Sequence, residues 1–340
     1  MDLGKREIEM ATAELWSIGV DLGGTKIEVA MVDAGGNIHG RLRLPTHSKN
    51  RPAMIKAEII SAIREIQKGS ESSPAGVGVG VAGQVDPQNG LVHFAPNLDW
   101  HEEPLQDDLK HALGLPVVVM NDVRAATWGE WHHGAGQGFN DLICLFVGTG
   151  IGGGVVSGGN MLSGCSNTAG ELGHITVDLN GPQCTCGNRG CLEAFAGGWA
   201  IARQARAAIL VDPSAGAHLL KTAGGRPDAI TAEIVVQAAK AGDPFARSLI
   251  DRVEEALVAG CVSLVNAFNP CRLILGGGVV EGLPELLERI DQGVRKKALA
   301  AATRSFKVLP AGLKNDAGVI GAATLATLLF GKKEEWRNVK

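Results

Sequence analysis

The chain has 340 residues, of which 45% are hydrophobic and 20% are charged, so it can bury two cores of ordinary domain size. Asp and Glu (36 residues) outnumber Lys and Arg (32 residues), which leaves no basic field to bind nucleic acid or an acidic membrane. The start of the chain is charged, and the longest apolar stretch, near residues 318–330, is shorter than a membrane span. These features predict a cytoplasmic protein with no signal peptide and no membrane segment.

The hydrophobic pattern predicts alternating strands and helices after a polar arm at residues 1–15. In the first part of the chain, strands are predicted at residues 16–21 and 27–33, directly after the turn at 34–37, and at 76–81 and 116–120. Later strands are predicted at 141–147, from residue 155 onward, at 272–275 and near 305–310. Helices are predicted at residues 52–68 and 104–113, from 123, near 193–210, 231–268 and 283–300, and from 317. The Gly-, Pro- and Ala-rich stretch 212–228 is predicted to be a loop or an insertion.

A unit of strand, glycine turn and strand occurs twice, about half a chain apart. It first spans residues 16–33 and then begins again at residue 141. We interpret this as a weak internal duplication, which predicts two similar α/β halves that each offer a glycine hairpin.

Three glycine turns follow buried strands, at Gly23–Gly24, Gly148–Gly154 and Gly276–Gly278. Glycine permits positive φ and close approach of a ligand, and successive backbone N–H groups in such turns attract anions. Around the first turn, Thr25 offers a hydroxyl donor, Lys26 a positive charge and Asp21 a carboxylate for Mg²⁺. A simple hairpin is the alternative for any one of them, and a strand after the first turn excludes the Walker A and Rossmann motifs.

Three of the seven cysteines lie close together in a C-x-C-x₄-C arrangement at Cys184, Cys186 and Cys191. An odd cysteine count without an export signal argues against a disulfide framework and for a metal site. With His174, ten residues before the first of them, they form a Cys₃His set that suits tetrahedral, structural Zn²⁺. Free buried cysteines are the alternative.

Asn121 and Asp122 end a buried strand and begin a predicted helix. An N-cap is the simpler role for either side chain. The functional alternative for Asp122 is a general base, because phosphoryl transfer to a hydroxyl needs an acceptor for its proton.

Taken together, these motifs resemble the ROK family of bacterial sugar kinases and repressors from about Ser17 to Phe330. The matching segments are DLGGTK at residues 21–26, the signature from Val147 to His174, GPQCTCGNRGCLE at 181–193 and NDAGVIGAA at 315–323. The resemblance implies an α/β protein of the actin-like/hexokinase (ribonuclease H-like) ATPase fold, with two domains around a cleft. We expect residues 1–122 plus 317–340 in one domain and residues 123–316 in the other.

The resemblance also implies a role for individual residues. Asp122 is the expected general base for a sugar 6-hydroxyl, with glucose as the preferred hexose and ATP as the donor. The implied sugar contacts are Asn97, Asn121, Asp122, Glu171, His174 and Glu193. The implied phosphate and adenosine contacts are Asp21, Gly23, Gly24, Thr25, Lys26, Thr149, Gly150, Gly277 and Gly278. His174 is expected to hold zinc through one ring nitrogen and face a sugar hydroxyl with the other.

Other activities of the family remain open from the sequence. The repressors carry a helix-turn-helix domain before the first strand, and about 16 residues are too few for one, so DNA binding is disfavoured. The zinc motif is also similar to that of N-acetylmannosamine and N-acetylglucosamine kinases. Fructokinases usually differ in their cysteine and histidine spacing, and polyphosphate stays open as an additional donor. Related kinases are commonly homodimers or homotetramers, so we expect a homo-oligomer.

Overall fold

The computed structural model describes residues 15–46, 51–70 and 72–331, so nearly all of the proposed polar arm at residues 1–15 lies outside the described residues. The chain forms two compact units. The first unit contains the described residues up to Gly138, together with Ser163–Thr168 and the residues from Gly312 onward. The second unit contains Phe139–Leu162 and Ala169–Ala311. None of the helices in the described part of the chain is long and apolar enough to cross a membrane.

The first unit is built on a five-stranded mixed sheet with the order β3-β2-β1-β4-β8. Its strands are β1 (Trp16–Leu22), β2 (Lys26–Asp33), β3 (Ile38–Pro45), β4 (Val77–Val81) and β8 (Val117–Asn121). The first three form an antiparallel meander, and β4 and β8 extend it in parallel from β1. Parallel strands covered by helices are apolar along their whole length, as in β4, all of whose residues are buried.

A second, three-stranded antiparallel sheet in the first unit was not predicted. It contains β5 (Gln84–Val85), β6 (Val92–Ala95) and β7 (Trp100–Glu103). These strands have two to four residues, too few to show a period of two in the sequence.

The helices of the first unit are α1 (Pro52–Gln67), α2 (Leu105–Leu113), α3 (Asp122–His133) and α11 (Ala317–Phe330). A Cβ added at Gly129 in α3 would lie 2.5 Å from the carbonyl oxygen of Ala317, so the two helices pack almost backbone to backbone. This contact explains why the first unit extends to Gly138, whereas the sequence analysis placed residues from 123 onward in the other domain. In the same way, Gly312 belongs to the first unit because its N–H donates to the Glu130 carboxylate of α3, 2.9 Å away.

The second unit repeats the topology of the first with the order β11-β10-β9-β12-β13. Its strands are β9 (Leu142–Val147), β10 (Ile151–Ser157), β11 (Asn160–Met161), β12 (Arg272–Gly276) and β13 (Lys307–Pro310). Again a hairpin is followed by strands that extend the sheet in parallel from its first strand. The internal duplication predicted from the sequence is therefore confirmed at the level of strand order.

Seven helices complete the described part of the second unit, and most pack around one large apolar core. They are α4 (Leu192–Ala196), α5 (Gly198–Val211), α6 (Ala217–Thr222), α7 (Ala232–Lys240), α8 (Pro244–Phe268), α9 (Gly278–Gly282) and α10 (Glu285–Lys297). Short 3₁₀ turns occur at Leu172–His174 and Pro227–Ala229 here, and at Lys314–Asp316 in the first unit. Of the two alternatives for residues 212–228, the loop is wrong over α6, where Leu219 is fully buried in the core.

Candidate active site

The first glycine turn, Gly23–Thr25, joins the paired ends of β1 and β2 in the first unit. The N–H of Gly23 donates to the carbonyl oxygen of Lys26 at 2.9 Å, and the hydroxyl of Thr46 donates to the carbonyl oxygen of Gly23 at 2.9 Å. A Cβ added at Gly24 would lie 2.8 Å from the Cβ of Asn97. Neither glycine has a positive φ, so glycine is needed here for close approach, and Asn97 lies directly against the turn.

Asp21, just before this turn, is a largely covered carboxylate that retains some solvent exposure and has an acidic neighbour. Burial, and after it the nearby carboxylate of Asp122, raise the pKa of Asp21 to about 6, against the opposing effect of the positive charge of Lys26. A Cβ added at Gly318, in the first turn of α11, would lie 3.3 Å from the carboxyl carbon of Asp21. The neighbouring carboxylates of Asp21 and Asp122 therefore concentrate negative charge before the first glycine turn, which favours a bound cation.

Asn121, at the end of β8, is the N-cap of α3. Its side-chain oxygen accepts from the N–H groups of Val123 and Arg124 at 3.0 and 3.1 Å, and its amide donates to the carbonyl oxygen of Gly83 at 3.2 Å. The capping role considered from the sequence thus belongs to Asn121. Asp122 is the first helical residue, and its Cα lies 3.3 Å from a Cβ added at Gly80.

The second glycine turn, Gly148–Gly150, joins β9 to β10 in the second unit. The sequence analysis extended it to Gly154, but residues 152–154 pair with residues 144–146 and belong to β10. The turn is hydrogen-bonded to the start of α5, where the N–H groups of Gly198 and Trp199 donate to the carbonyl oxygens of Gly148 and Thr149, each at 2.9 Å.

Glu193 in α4 lies beside the second glycine turn and is nearly buried, with 9% of its surface exposed. Its Oε2 accepts from the N–H of Ile151 at 2.7 Å, and its Oε1 accepts from the indole N–H of Trp199 at 3.1 Å. The sequence analysis assigned Glu193 to the sugar. The structure adds contacts on the side of the second glycine turn, which the sequence did not reveal.

The four residues proposed as zinc ligands do converge. Their ligand atoms lie within 4.8 Å of one another. Cys184 Sγ lies 3.7 Å from His174 Nδ1, and Cys186 Sγ lies 3.7 Å from Cys191 Sγ. Two thiolates bound to tetrahedral zinc at about 2.3 Å would be about 3.8 Å apart, so the donor set fits this ion.

The chain geometry and the thiol chemistry of this cluster agree with a metal site. Gly187 and Gly190 have φ values of 93° and 68°, which let the backbone turn sharply between the cysteines. A hydrogen bond from the Asn188 backbone lowers the pKa of Cys186, whereas burial and the neighbouring thiols raise the pKa of Cys191 to about 12. A bound cation would remove that penalty, because thiolate is the form that binds metal.

Glu171 and His174 bracket the 3₁₀ turn Leu172–His174, which packs against β10. Gly173 lies against the carbonyl oxygen of Ile151, where a Cβ could not fit. With Nδ1 of His174 facing Cys184, its Nε2 is the nitrogen that points away from the cluster's thiols. The second unit thus brings Glu171, His174 and Glu193 to the strand that follows the second glycine turn.

A cavity of about 700 Å³ opens within the second unit beside this turn. Of the residues predicted to contact ATP, Thr149 and Gly278 line it. Gly277 has a φ of 89° and lies against the backbone of Val147. Sequence reasoning missed the polar and aromatic side chains in the lining, which are Trp199, Arg206, Thr231, Glu233 and Gln237.

These missed residues come from two helices and carry little signal of their own. Thr231 is the N-cap of α7 and accepts from the N–H of Ile234 at 3.3 Å, and Glu233 and Gln237 follow at helical spacing. The Arg206 guanidinium donates twice to the carbonyl oxygen of Ile230, at 3.0 and 2.7 Å. A polar i, i+4 pair on an exposed helix face usually faces solvent, so only the fold shows that this one borders a cavity.

Comparison with known proteins agrees with this arrangement. The sequence profile of the ROK family matches residues 17–328. The glucokinase of Streptomyces coelicolor is 38% identical over 311 residues, which are 91% of this chain and 97% of that protein. The N-acetylmannosamine kinase of Escherichia coli is 33% identical over 321 residues, 91% of this chain and 98% of that protein.

Among solved structures, a ROK family glucokinase from Streptomyces griseus in complex with glucose and AMPPNP superposes with a TM-score of 0.78 and 38% identity. The match covers 92% of this chain and 99% of that one. The profile, the relatives and the repeated sheet topology all agree. The chain therefore belongs to the ROK family and has the actin-like ATPase fold of its kinases.

Proposed function

We propose that this chain is an ATP-dependent hexose kinase that transfers the γ-phosphoryl group of ATP to the 6-hydroxyl of glucose. The observation that carries the proposal is the carboxylate pair Asp21 and Asp122 beside the first glycine turn. Asn121 caps α3, so Asp122 is not needed as the cap. A carboxylate in that position is suited to accept the proton of an attacking hydroxyl.

Two glycine turns and one cavity would bind the nucleotide. We assign the phosphates to the backbone N–H groups of Gly23, Gly24 and Gly150 and to the side chains of Thr25, Lys26 and Thr149. The cavity lined by Gly278 has the size and mixed lining expected for adenosine, and Gly277 directly precedes Gly278 in the chain. Asp21 would hold the Mg²⁺ that accompanies ATP, and this ion would offset the charge of the phosphates.

The sugar hydroxyls are assigned to amide, carboxylate and imidazole groups. The proposed contacts are Asn97, Asn121, Glu171, His174 and Glu193. His174 would hold zinc through Nδ1, with Cys184, Cys186 and Cys191, and present Nε2 to a hydroxyl. Such a zinc ion supplies no chemistry of its own, because four protein ligands leave no open position. Its effect is to fix the orientation and the protonated nitrogen of the imidazole ring.

A second candidate substrate is N-acetylmannosamine, and one observation favours it. The N-acetylmannosamine kinase of Escherichia coli is 33% identical to this chain over 91% of its length. Glucose is preferred because the glucokinase of Streptomyces coelicolor is more similar, at 38% identity over the same share of the chain.

One assay of ADP release tests the proposal. Purified protein with ATP and Mg²⁺ is offered glucose, mannose, fructose, N-acetylglucosamine and N-acetylmannosamine in turn. We expect the highest kcat/KM with glucose, and a loss of about 10²-fold to 10⁴-fold in kcat for Asp122→Asn, which keeps the shape but not the base. Asp107→Asn, an exposed aspartate in α2, is the matched control and should behave as the parent.

Two outcomes contradict the proposal. If none of the five sugars is phosphorylated, the proposed kinase activity is contradicted. If Asp122→Asn keeps full activity, the assignment of Asp122 as the base is contradicted. A higher kcat/KM with N-acetylmannosamine than with glucose would select the second substrate instead.

A further inference from the structure

Glu193 makes a set of contacts that a sugar ligand does not require. Both of its carboxylate oxygens accept hydrogen bonds from the side of the second glycine turn, one from the N–H of Ile151 and one from the indole of Trp199. A Cβ added at Gly150 would lie 2.5 Å from Glu193 Oε2, so the carboxylate lies against the turn itself. The closest protein contacts of Glu193 are therefore on the nucleotide side.

The backbone around Glu193 continues the same connection. The N–H groups of Gly198 and Trp199 donate to the carbonyl oxygens of Gly148 and Thr149. Trp199 also lines the cavity assigned to adenosine, and the guanidinium of Arg203 lies 4.6 Å from the centre of its ring. Turn, carboxylate and cavity wall thus form one hydrogen-bonded unit.

We propose that Glu193 is a positioning residue for nucleotide binding, which holds the second glycine turn and the Trp199 wall of the cavity in one fixed arrangement. The inference rests on the proposed function only in taking a nucleotide as the ligand of this turn. Two carboxylate oxygens offer about four acceptor positions, so these two bonds do not conflict with a sugar hydroxyl on the same group. The zinc cluster supports the arrangement, because Cys191 directly precedes α4 and the N–H of Ala194 donates to its carbonyl oxygen at 2.9 Å.

The two partners of Glu193 are both donors, so replacing one carboxylate oxygen by an NH₂ group tests the proposal. Ile151 N–H and Trp199 Nε1–H are both donors, and each reaches a different oxygen. A glutamine in place of Glu193 has one oxygen and one NH₂ group, so either orientation sets a donor against a donor. Replacing Trp199 by phenylalanine removes one of the donors, and the glutamine oxygen can then serve Ile151 alone.

The experiment is a double-mutant cycle read by ADP·Mg²⁺ binding in calorimetry, with no sugar present. We expect Glu193→Gln to weaken ADP binding about 10-fold, the effect of leaving a buried donor without an acceptor. Trp199→Phe should weaken it by no more than about 3-fold, because the ring face is retained. The double variant should bind ADP more tightly than Glu193→Gln, within about 3-fold of Trp199→Phe. The zinc content should equal the parent's in all four proteins.

The outcomes separate this inference from the proposed function. Unchanged ADP affinity in Glu193→Gln, with only the KM for glucose raised, would overturn the inference and leave the kinase intact. A double variant no better than Glu193→Gln would also overturn it, because the rescue is specific to the two-donor arrangement. Conversely, suppose that ADP binding is weakened in Glu193→Gln and rescued in the double variant, but no sugar is phosphorylated. This result would support the inference and contradict the proposed activity.

Discussion

The two glycine turns occupy equivalent places in sheets of equivalent strand order, yet they are held in different ways. In the first unit, the hydroxyl of Thr46 donates to the carbonyl oxygen of Gly23. In the second unit, the carboxylate of Glu193 accepts from the N–H of Ile151. The first turn is therefore held at a carbonyl oxygen by a hydroxyl next to β3. The second is held at the N–H of the residue that follows it, by a carboxylate next to the Cys₃His cluster.

This difference shows how one duplicated topology can serve two tasks. The first unit places two partly exposed carboxylates, Asp21 and Asp122, near its turn, which agrees with the cation binding and proton transfer that we propose there. The second unit places its turn beside a cavity and stabilises it by long-range contacts from α4 and α5. We therefore expect damage to the Cys₃His cluster to affect the second turn, and damage to Asp21 to affect the chemistry proposed beside the first turn.

The largest effect is expected from Cys184→Ser. Serine is a poor zinc ligand, and a structural zinc site contributes about 10 kcal/mol or more of apparent binding free energy to folding. We expect loss of the bound zinc, a fall in kinase activity of more than about 100-fold and a melting temperature lower by about 10 °C or more. Metal analysis, the coupled assay and calorimetry measure the three quantities.

Cys165→Ser is the matched control for this variant. Cys165 is exposed and lies outside the cluster, so its replacement should leave zinc content and melting temperature at the parent's values. Loss of zinc from Cys184→Ser with full activity retained would show that the cluster does not support the second turn, and retention of a full zinc equivalent would show that Cys184 is not a required ligand.

Asp21→Asn should produce opposite effects on activity and stability. Its carboxylate is proposed to hold Mg²⁺, and removal of such a charge should lower kcat/KM by about 100-fold. Because the folded-state pKa is raised from 3.8 to about 6, the folded protein binds this proton more tightly than the unfolded chain does. The stability of the ligand-free protein therefore falls as the pH rises from about 4 to 6, and the penalty is complete above pH 6.

Asparagine removes this penalty, so at pH 8 the ligand-free variant should be more stable than the parent by about 1–3 kcal/mol. At pH 4 the advantage should shrink towards zero. Chemical denaturation at the two pH values measures it. A variant that is less stable than the parent at pH 8 would show that Asp21 is already compensated in the folded chain.

Much of this architecture was predictable from local sequence. Buried apolar runs such as residues 77–81 predicted the central strands, and the cysteine spacing predicted a cluster that the structure assembles. The predicted helical region 231–268 is interrupted at residues 241–243, and the region near 193–210 is interrupted at Gly197. The cause at Gly197 is a long-range bond, since the N–H of Gly198 donates to Gly148 rather than within a helix. Contacts of this kind leave no periodic signal in either segment.

The site residues show the same limit. Asn121 and Asp122 were both candidates for the cap, and only the hydrogen bonds of Asn121 settle which one caps α3. Trp199 and Glu233 had no motif at all, because their role depends on α5 and α7 bordering one cavity. Short-range patterns therefore identified the turns, but not the side chains that hold or surround them.

Gly150→Ala sharpens the comparison from the second unit. Its methyl group would meet Glu193 Oε2 at 2.5 Å, and the carboxylate can withdraw only by giving up the Ile151 hydrogen bond. We expect about 10-fold weaker ATP binding and a loss of about 1–2 kcal/mol in stability. Gly148→Ala is the control for stability, because a Cβ there has no neighbour within 4 Å. Equal destabilisation by both variants would mean that Glu193 does not constrain the turn.

The smallest effect is expected from Thr46→Val, which tests how the first turn is held. Valine keeps the size and branching of threonine but removes the hydroxyl that donates to the carbonyl oxygen of Gly23. The backbone N–H of Thr46 still donates to the carbonyl oxygen of Thr25 at 2.9 Å, so β3 stays attached to the turn. We expect a loss of about 1 kcal/mol in stability and an increase of about 3-fold in the KM for ATP, measured by denaturation and steady-state kinetics. An effect of Thr46→Val on nucleotide affinity as large as that of Glu193→Gln would contradict this expectation. Both turns would then depend on one side chain to the same degree, and the two units would differ only in the charge of the group that holds the turn.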